Sequence, residues 1–151
     1  MEIYKVTQAE KANAMHLVWE VFVEFEAPDY TREGIKTFRD FITDKNQTDS
    51  LEIYGAYETG ELAGVIATRN EGSHIALFFV DKRYQRKGVG RKLWEAVLNN
   101  STAETITVHS SPYAAAIYRK LGFTDTDGEQ TEQGYVISPC STEDDIIAKM
   151  M

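Results

Sequence analysis

The sequence predicts a single α/β domain built on one mixed sheet, and three observations lead to this fold class. Two segments with apolar residues at helical spacing come early in the chain. Three β-rich runs separated by turn residues follow, and a strand–helix–strand pattern then begins at a glycine-rich loop. The 151 residues, 42% of them hydrophobic, suffice for one core. We therefore expect one domain over residues 1–139 and a C-terminal tail over residues 140–151, with the pattern of a short capped helix or a frayed end.

The first predicted elements are a short strand, residues 3–6, and two helices. Thr7 and Glu10 have the spacing of a capping box, which opens a long first helix. Pro28 ends that helix because the residue before a proline is pushed out of the helical region. The second helix is predicted over residues 31–45, where apolar residues recur every three or four positions.

The remaining elements complete the sheet. Residues 51–58, 62–69 and 74–81 are β-rich runs with turn residues between them, which predicts an antiparallel meander. A helix to about residue 100, a strand at 105–110, a helix at 112–121 and two last strands around residues 123 and 135–138 follow. The predicted sheet has about seven strands, mostly antiparallel, and about four flanking helices.

The loop Gln-Arg-Lys-Gly-Val-Gly-Arg, residues 85–91, joins an apolar strand to an amphipathic helix. Gly88 and Gly90 let the backbone turn tightly and approach a ligand, and the first amides of the helix can bind an anion. Six basic residues lie within eleven positions here, in a chain with net charge −8: Lys82, Arg83, Arg86, Lys87, Arg91 and Lys92. This basic island suits a pyrophosphate, and the alternative is a solvated, basic helix start.

Spacing excludes two other phosphate-binding loops. A P-loop needs Lys and then Ser or Thr after its last glycine, whereas Arg91 and Lys92 follow Gly90. The dinucleotide-binding fingerprint needs a small residue three positions after its second glycine, where this chain has Leu93. The loop therefore predicts a different kind of pyrophosphate site.

Composition excludes further classes of function. A pI near 4.9 argues against DNA or RNA as the main partner, because nucleic-acid affinity needs a broad basic surface. No apolar run approaches the roughly 20 residues that cross a bilayer, and the N-terminus lacks a secretory signal, so we expect a cytoplasmic protein without a membrane partner. Cys140 and three scattered histidines, at positions 16, 74 and 109, predict no metal site.

Two motifs resemble those of the GNAT superfamily of N-acetyltransferases. The acetyl-CoA loop of that family has the pattern Gln/Arg-x-x-Gly-x-Gly/Ala between a strand and a helix, and Gln85, Gly88 and Gly90 match it. A second signature, a helix that carries a tyrosine and closes in Leu-Gly-Phe, is similar to residues 112–123, where the tyrosine is Tyr118. The order of elements is similar over nearly the whole chain.

This resemblance implies acetyl-CoA as the co-substrate. Main-chain groups of Phe79 and Val80 are then expected to pair with the pantetheine arm like an added strand. The pyrophosphate is expected on main-chain amides of Arg86, Lys87, Gly88, Val89, Gly90 and Arg91. The family often has Asn seven residues before the tyrosine; this chain has Ser111 there, and helix capping is its alternative role.

The resemblance also gives Tyr118 a catalytic role. Acetyl transfer from a thioester to an amine expels a thiolate, and a phenol with a pKa of about 10 can protonate or hydrogen-bond a thiolate with a pKa of about 8.5. The alternative is an aromatic core residue that packs beside Ile117 and Leu121.

Glu26 is the candidate general base. A helical wheel places Met15, Trp19 and Phe22 on the apolar face of the first helix, with Glu26 at the centre of that face. Burial and the negative end of the helix dipole disfavour the charged carboxylate, which suits a base. If the helix frays before Pro28, Glu26 turns to solvent instead.

The amine acceptor is expected to be cationic, either a small molecule or a peptide. Acidic residues gather where the first two helices meet, which in the GNAT family borders the acceptor cleft: Glu20, Glu24, Glu26, Asp29 and Glu33. Tyr30 is a candidate to stack on such an acceptor, so Glu26 and Tyr30 are the candidate acceptor-binding residues.

The function predicted from these motifs is direct transfer of an acetyl group from acetyl-CoA to a primary amine. A direct route is expected because Cys140, the one thiol, lies outside both motifs. The alternative is a non-catalytic acyl-CoA-binding sensor or interaction module. The sequence also allows a homodimer.

Overall fold

The central sheet is mixed. A computed structural model describes residues 1–110, 112–125 and 134–139. The strands in these residues are β1 (Glu2–Lys5), β2 (Glu52–Glu58), β3 (Glu61–Arg69), β4 (His74–Val80), β5 (Thr105–Ser110), β6 (Thr124–Asp125) and β7 (Gly134–Pro139). They form one sheet in the order β1-β2-β3-β4-β5-β7-β6. Strands β1 to β4 pair antiparallel, whereas the β4–β5, β5–β7 and β6–β7 pairs are parallel.

Helices flank both faces of the sheet. Within the described residues the α-helices are α1 (Lys11–Phe25), α2 (Arg32–Thr43), α3 (Lys45–Asp49), α4 (Val89–Asn100) and α5 (Pro112–Lys120). Short 3-10 turns lie at Gln8–Glu10, Ala27–Asp29 and Lys82–Tyr84.

The mixed α/β fold is confirmed, and the described residues form seven strands and five α-helices where about seven strands and four helices were predicted. Strand β6 has only two residues, and α3 is an additional helix. Asp44 ends α2 and starts α3, because its carboxylate accepts the N–H groups of Asn46 at 2.9 Å and Gln47 at 3.3 Å. The helix predicted over residues 31–45 therefore stops earlier. The division at residue 139 stays a prediction, and the tail lies outside the described residues.

The start of the first helix also differs from the prediction. The Thr7 hydroxyl donates to the Glu10 carboxylate at 3.2 Å and caps no backbone amide. A 3-10 turn therefore separates Thr7 from α1, which begins at Lys11.

Two apolar layers anchor the helices to β4. On one face the rings of Phe22 and Phe38, from α1 and α2, stack with centroids 4.1 Å apart, and Phe38 reaches Phe79 of β4 at 6.0 Å. On the other face Trp94 of α4 is 2% exposed and packs on Phe123, beyond α5, at 5.0 Å. The strand between these layers thus has its residues fixed from both sides.

Strands β4 and β5 separate soon after they begin to pair. Their register contains only the pairs His74↔Thr107 and Ile75↔Val108, although both strands continue. Among the described residues, β4 is paired with β3 alone beyond Ile75. One edge of β4 is therefore open at its carboxyl end, where the glycine loop begins.

The β3–β4 turn requires glycine at position 72. Gly72 has a φ of +84°, and a Cβ added there lies 2.6 Å from the Ser101 hydroxyl oxygen, which itself donates to the Gly72 carbonyl at 3.1 Å. Gly60, in the β2–β3 turn, has a φ of +82° but no atom within 4 Å of its added Cβ. A comparison of substitutions at these two positions therefore separates the effect of left-handed backbone strain from the effect of steric overlap.

We predict that Gly72→Ala lowers the free energy of unfolding by about 2–3 kcal/mol. The control Gly60→Ala should lower it by about 1 kcal/mol. Both variants place a Cβ on a left-handed backbone, but only Gly72→Ala also brings that Cβ into overlap with Ser101. Urea unfolding followed by circular dichroism measures both values. Equal losses in the two variants would show that the Ser101 contact does not constrain this turn.

Candidate functional site

The turn after β4 is held by ion pairs and a capped 3-10 turn. The Asp81 carboxylate accepts the Arg83 N–H at 2.8 Å, and the Arg83 guanidinium binds both Asp81 and Glu61. These contacts with Arg83 lower the pKa of Asp81 below its usual value, so the carboxylate stays charged. The Tyr84 ring lies under two cations, with Arg83 at 5.6 Å and Lys87 at 5.9 Å from its centroid. The chain thus enters the glycine loop in a fixed direction.

The glycine loop turns through two left-handed residues. Arg86 has a φ of +63° and Gly88 a φ of +82°. Gly88 is the N-cap of α4 and offers no side chain to its amides. The helical bond from the Lys92 N–H to the Gly88 carbonyl is 3.2 Å long, so the amides of the preceding turn have no helical partner. Those amides, of Val89, Gly90 and Arg91, can accept an anion at the positive end of the helix dipole.

Gly90 keeps the space beside this site open. A Cβ at Gly90 lies 3.6 Å from Cζ of Phe78 and 4.0 Å from Cγ2 of Val80, which is ordinary contact. A methyl group therefore fits here, whereas the branches of a larger side chain extend into the volume next to the loop.

The register of β4 shows which of its main-chain groups face the open edge. The Asp81 N–H bonds to the Ala63 carbonyl at 2.8 Å, and Val80 lies opposite Gly64. This alternation turns the N–H and C=O of Phe79 towards β3, and those of Val80 away from it. The Val80 carbonyl accepts the side-chain amide of Gln85 at 3.1 Å. Val80 therefore faces the open edge, as its expected pairing with the pantetheine arm requires. In this register Phe78, and not Phe79, also turns its main-chain groups to that edge. The pairing expected of Phe79 stays a prediction.

Tyr118 lies next to this open edge. Its side chain is 5% exposed, and its ring meets Phe78 edge-on at 5.8 Å and Phe123 at 5.4 Å. The Arg91 guanidinium donates to the Lys120 carbonyl at 3.3 Å, which joins the start of α4 to the end of α5. The loop and Tyr118, far apart in sequence, are thus brought to the same part of β4.

Glu26 is buried, with 7% of its surface exposed, as the helical wheel predicts. The helix does not fray there, since the Glu26 N–H still bonds to the Phe22 carbonyl at 2.9 Å. Lys82, in the turn after β4, pairs with Glu24 at 2.9 Å and places the end of α1 at the carboxyl end of β4. Glu26 is therefore at the same end of the strand as the loop, but on the α1 side of the sheet, whereas Tyr118 is on the α4 side.

Tyr30 and the acidic residues surround the end of α1. Tyr30 is half-buried and meets Phe22 edge-on at 5.1 Å. The remaining acidic residues of the group are exposed, and two have partners: Glu24 pairs with Lys82, and Glu20 with His16 at 2.9 Å. This surface keeps a net negative charge.

Sequence reasoning missed Phe78 and the contact made by Gln85. Phe78 contacts both the space at Gly90 and the ring of Tyr118, and the Gln85 side chain holds the Val80 carbonyl. The glycine motif pointed to Gln85, but no local pattern distinguishes Phe78 from Phe79. Ser111 and Cys140 lie outside the described residues.

The described part of the chain has neither a metal-binding cluster nor a membrane-spanning helix. No group of three or more His, Cys, Asp or Glu side chains there is arranged to hold a metal ion. No helix there is long and apolar enough to cross a membrane.

A family model described as an acetyltransferase (GNAT) domain matches residues 26–143. No curated protein sequence matches the chain significantly.

Solved structures share the fold at low sequence identity. A GCN5-related N-acetyltransferase from Rhodopseudomonas palustris has 20% identity and a TM-score of 0.70, with 80% of this chain and 79% of that one covered. The PaiA N-acetyltransferase from Thermoplasma acidophilum, in complex with coenzyme A, has 17% identity and a TM-score of 0.56, covering 65% and 69%. An aminoglycoside 6'-N-acetyltransferase from Acinetobacter haemolyticus has 14% identity and a TM-score of 0.59, covering 89% and 98%.

Proposed function

The chain belongs to the GNAT acetyltransferase family and is an acetyl-CoA-dependent N-acetyltransferase, and from that premise we propose that it transfers the acetyl group directly to a primary amine of a cationic small molecule or peptide. One observation carries this proposal. Phe78 is the residue at which three features meet: the open edge of β4, the free amides of the loop and the buried Tyr118. Cytoplasmic location and a homodimer stay predictions from the sequence.

The residues around the open edge suit acetyl-CoA. The Val80 main chain can pair with the amides of the pantetheine arm, in the way that an added strand pairs with a sheet edge. The amides of Val89, Gly90 and Arg91 can hold the pyrophosphate, and the nearby cations of Arg86 and Lys87 add attraction. Bound there, acetyl-CoA supplies a thioester whose carbonyl carbon accepts the amine.

Tyr118 is proposed as the acid in this reaction. The amine forms the new C–N bond, the C–S bond breaks, and the departing sulfur carries a negative charge. The Tyr118 hydroxyl donates a hydrogen bond or a proton to that sulfur. Direct transfer needs no protein nucleophile, and Cys140, the one thiol of the chain, lies outside both motifs.

Glu26 is proposed to take the proton that the amine loses, directly or through water. Its carboxylate is buried at the carboxyl end of β4, among acidic residues that attract a cationic acceptor. Tyr30, on the same surface, is the proposed stacking residue for the acceptor.

We predict that Gly90→Val weakens acetyl-CoA binding about tenfold or more, because the branched side chain enters the space beside the loop amides. The control Lys87→Ala, which removes an exposed charge from the same loop, should weaken binding less. Isothermal titration with acetyl-CoA measures both affinities, and circular dichroism confirms folding. A folded Gly90→Val protein with unchanged affinity would remove the loop from the coenzyme site.

Thiol released from acetyl-CoA in the presence of an amine panel tests the reaction itself. The panel contains polyamines, aminoglycosides and lysine-containing peptides beside neutral primary amines, and mass measurement identifies the acetylated product.

We predict that Tyr118→Phe lowers turnover about 100-fold with the best amine and leaves coenzyme affinity nearly unchanged, since the ring keeps its contacts with Phe78 and Phe123. A variant as active as the parent would exclude Tyr118 from the chemistry. Coenzyme binding without thiol release for any amine would favour the sensor alternative.

A third prediction concerns the pH dependence of turnover. If the Glu26 carboxylate is the base, the rate falls as pH decreases and the carboxylate gains a proton, so Glu26→Gln should lower the rate and remove that dependence. The control Glu20→Gln changes an exposed carboxylate of the same helix that does not pair with Lys82, and it should keep the pH dependence of the parent. The assignment fails if the Glu26→Gln profile matches that of the parent.

A further inference from the structure

A cleft of about 520 Å³ lies between α1, α2 and α3, away from the open edge of β4. This volume is within the range of small-molecule sites, about 300–1,000 Å³. The cleft follows the amino-terminal part of α1, from Lys11 to Trp19. Trp19, the lining residue nearest the Glu24 end of that helix, lies five residues before Glu24, about 8 Å at 1.5 Å per residue. None of the residues that line the cleft belongs to the proposed coenzyme and acceptor sites.

The floor of the cleft is apolar and rigid. Met15 is 8% exposed, and Ile42 is 4% exposed. Trp19 is half-buried beside them, and its ring stacks on Phe22 at 5.8 Å. The Thr48 hydroxyl, also in the lining, already donates to the Asp44 carbonyl at 3.1 Å. The floor thus offers an apolar surface with one aromatic face.

The rim of the cleft is positively charged. Lys11, Arg39 and Lys45 line it, in a chain whose net charge is −8. Lys11 and Lys45 share one carboxylate, that of Asp49, whose pKa is lowered by their hydrogen bonds and so stays charged. Arg39 has no carboxylate within ion-pairing distance among the described residues. Glu20 adds a second carboxylate, which pairs with the lining His16 at 2.9 Å. Three cations against two carboxylates still leave a positive rim, with the Arg39 guanidinium available to a ligand.

We propose that this cleft binds an amphipathic organic anion, a carboxylate with an apolar body. The body lies on Met15, Trp19 and Ile42, where burial of apolar surface drives binding. The carboxylate lies at the rim, where a guanidinium presents two parallel N–H donors. This site goes beyond the proposed acetyl transfer and does not depend on the identity of the acceptor amine.

Calorimetric titration of the whole protein with octanoate, without acetyl-CoA, tests the proposal. Octanoate should bind at one saturable site and change the fluorescence of Trp19. 1-Octanol, which carries the same chain without a charge and is not an amine, should bind at least about tenfold more weakly. Absence of saturable octanoate binding, or equal affinity for the two probes, overturns the proposal.

Two matched pairs of variants locate the site. Arg39→Gln should weaken octanoate binding about tenfold, whereas Lys36→Gln, an exposed cation on the same helix outside the cleft, should leave it unchanged. Ala12→Phe should fill the cleft and abolish binding, whereas Asn13→Phe, at the next position of α1 and outside the lining, should not. Equal effects within each pair would show that octanoate binds elsewhere.

Discussion

The open edge of β4 is the constraint on which the site depends. Main-chain N–H and C=O groups need hydrogen-bond partners, and a strand edge without a neighbour is normally covered or blunted. Here β5 leaves β4 after two paired residues, and the loop that follows β4 runs into α4. One exposed carbonyl, that of Val80, is satisfied by Gln85. The sheet thereby offers a row of polar groups that an extended ligand can complete.

Packing keeps this edge rigid although it lacks a strand partner. The side chain of Phe79 is 4% exposed in the layer under α1 and α2, while Phe78 contacts Tyr118 on the other face. Because both faces of β4 are packed, a shift of the strand that closed the gap would break these contacts. The same packing sets the position of the Tyr118 ring, so the core of the domain also orients the proposed acid.

Local sequence patterns predicted two features of the site. The glycine spacing located the loop, and the helical wheel predicted the burial of Glu26. The sequence did not predict α3, because residues 43–50 contain no apolar residue that could show a helical spacing, and only the capping by Asp44 marks its start. Nor did it predict the separation of β4 from β5, or Phe78 as the contact between loop and tyrosine. Both features depend on how strands that are distant in sequence pair with one another. Neighbouring residues such as Phe78 and Phe79 do not reveal that register by themselves.

Two of the basic residues around the loop have a structural role. Lys82 pairs with Glu24, and Arg83 pairs with Asp81 and Glu61, so these two cations fix the turn and the end of α1. Such exposed pairs contribute little stability each, about 0–1 kcal/mol, but they hold the Glu24 end of α1 at the carboxyl end of β4. The basic cluster in the sequence is therefore partly structural. In the proposed site the anion binds mainly to the amides at the start of α4, where we expect the backbone geometry set by Arg86 and Gly88 to matter more than the number of basic side chains.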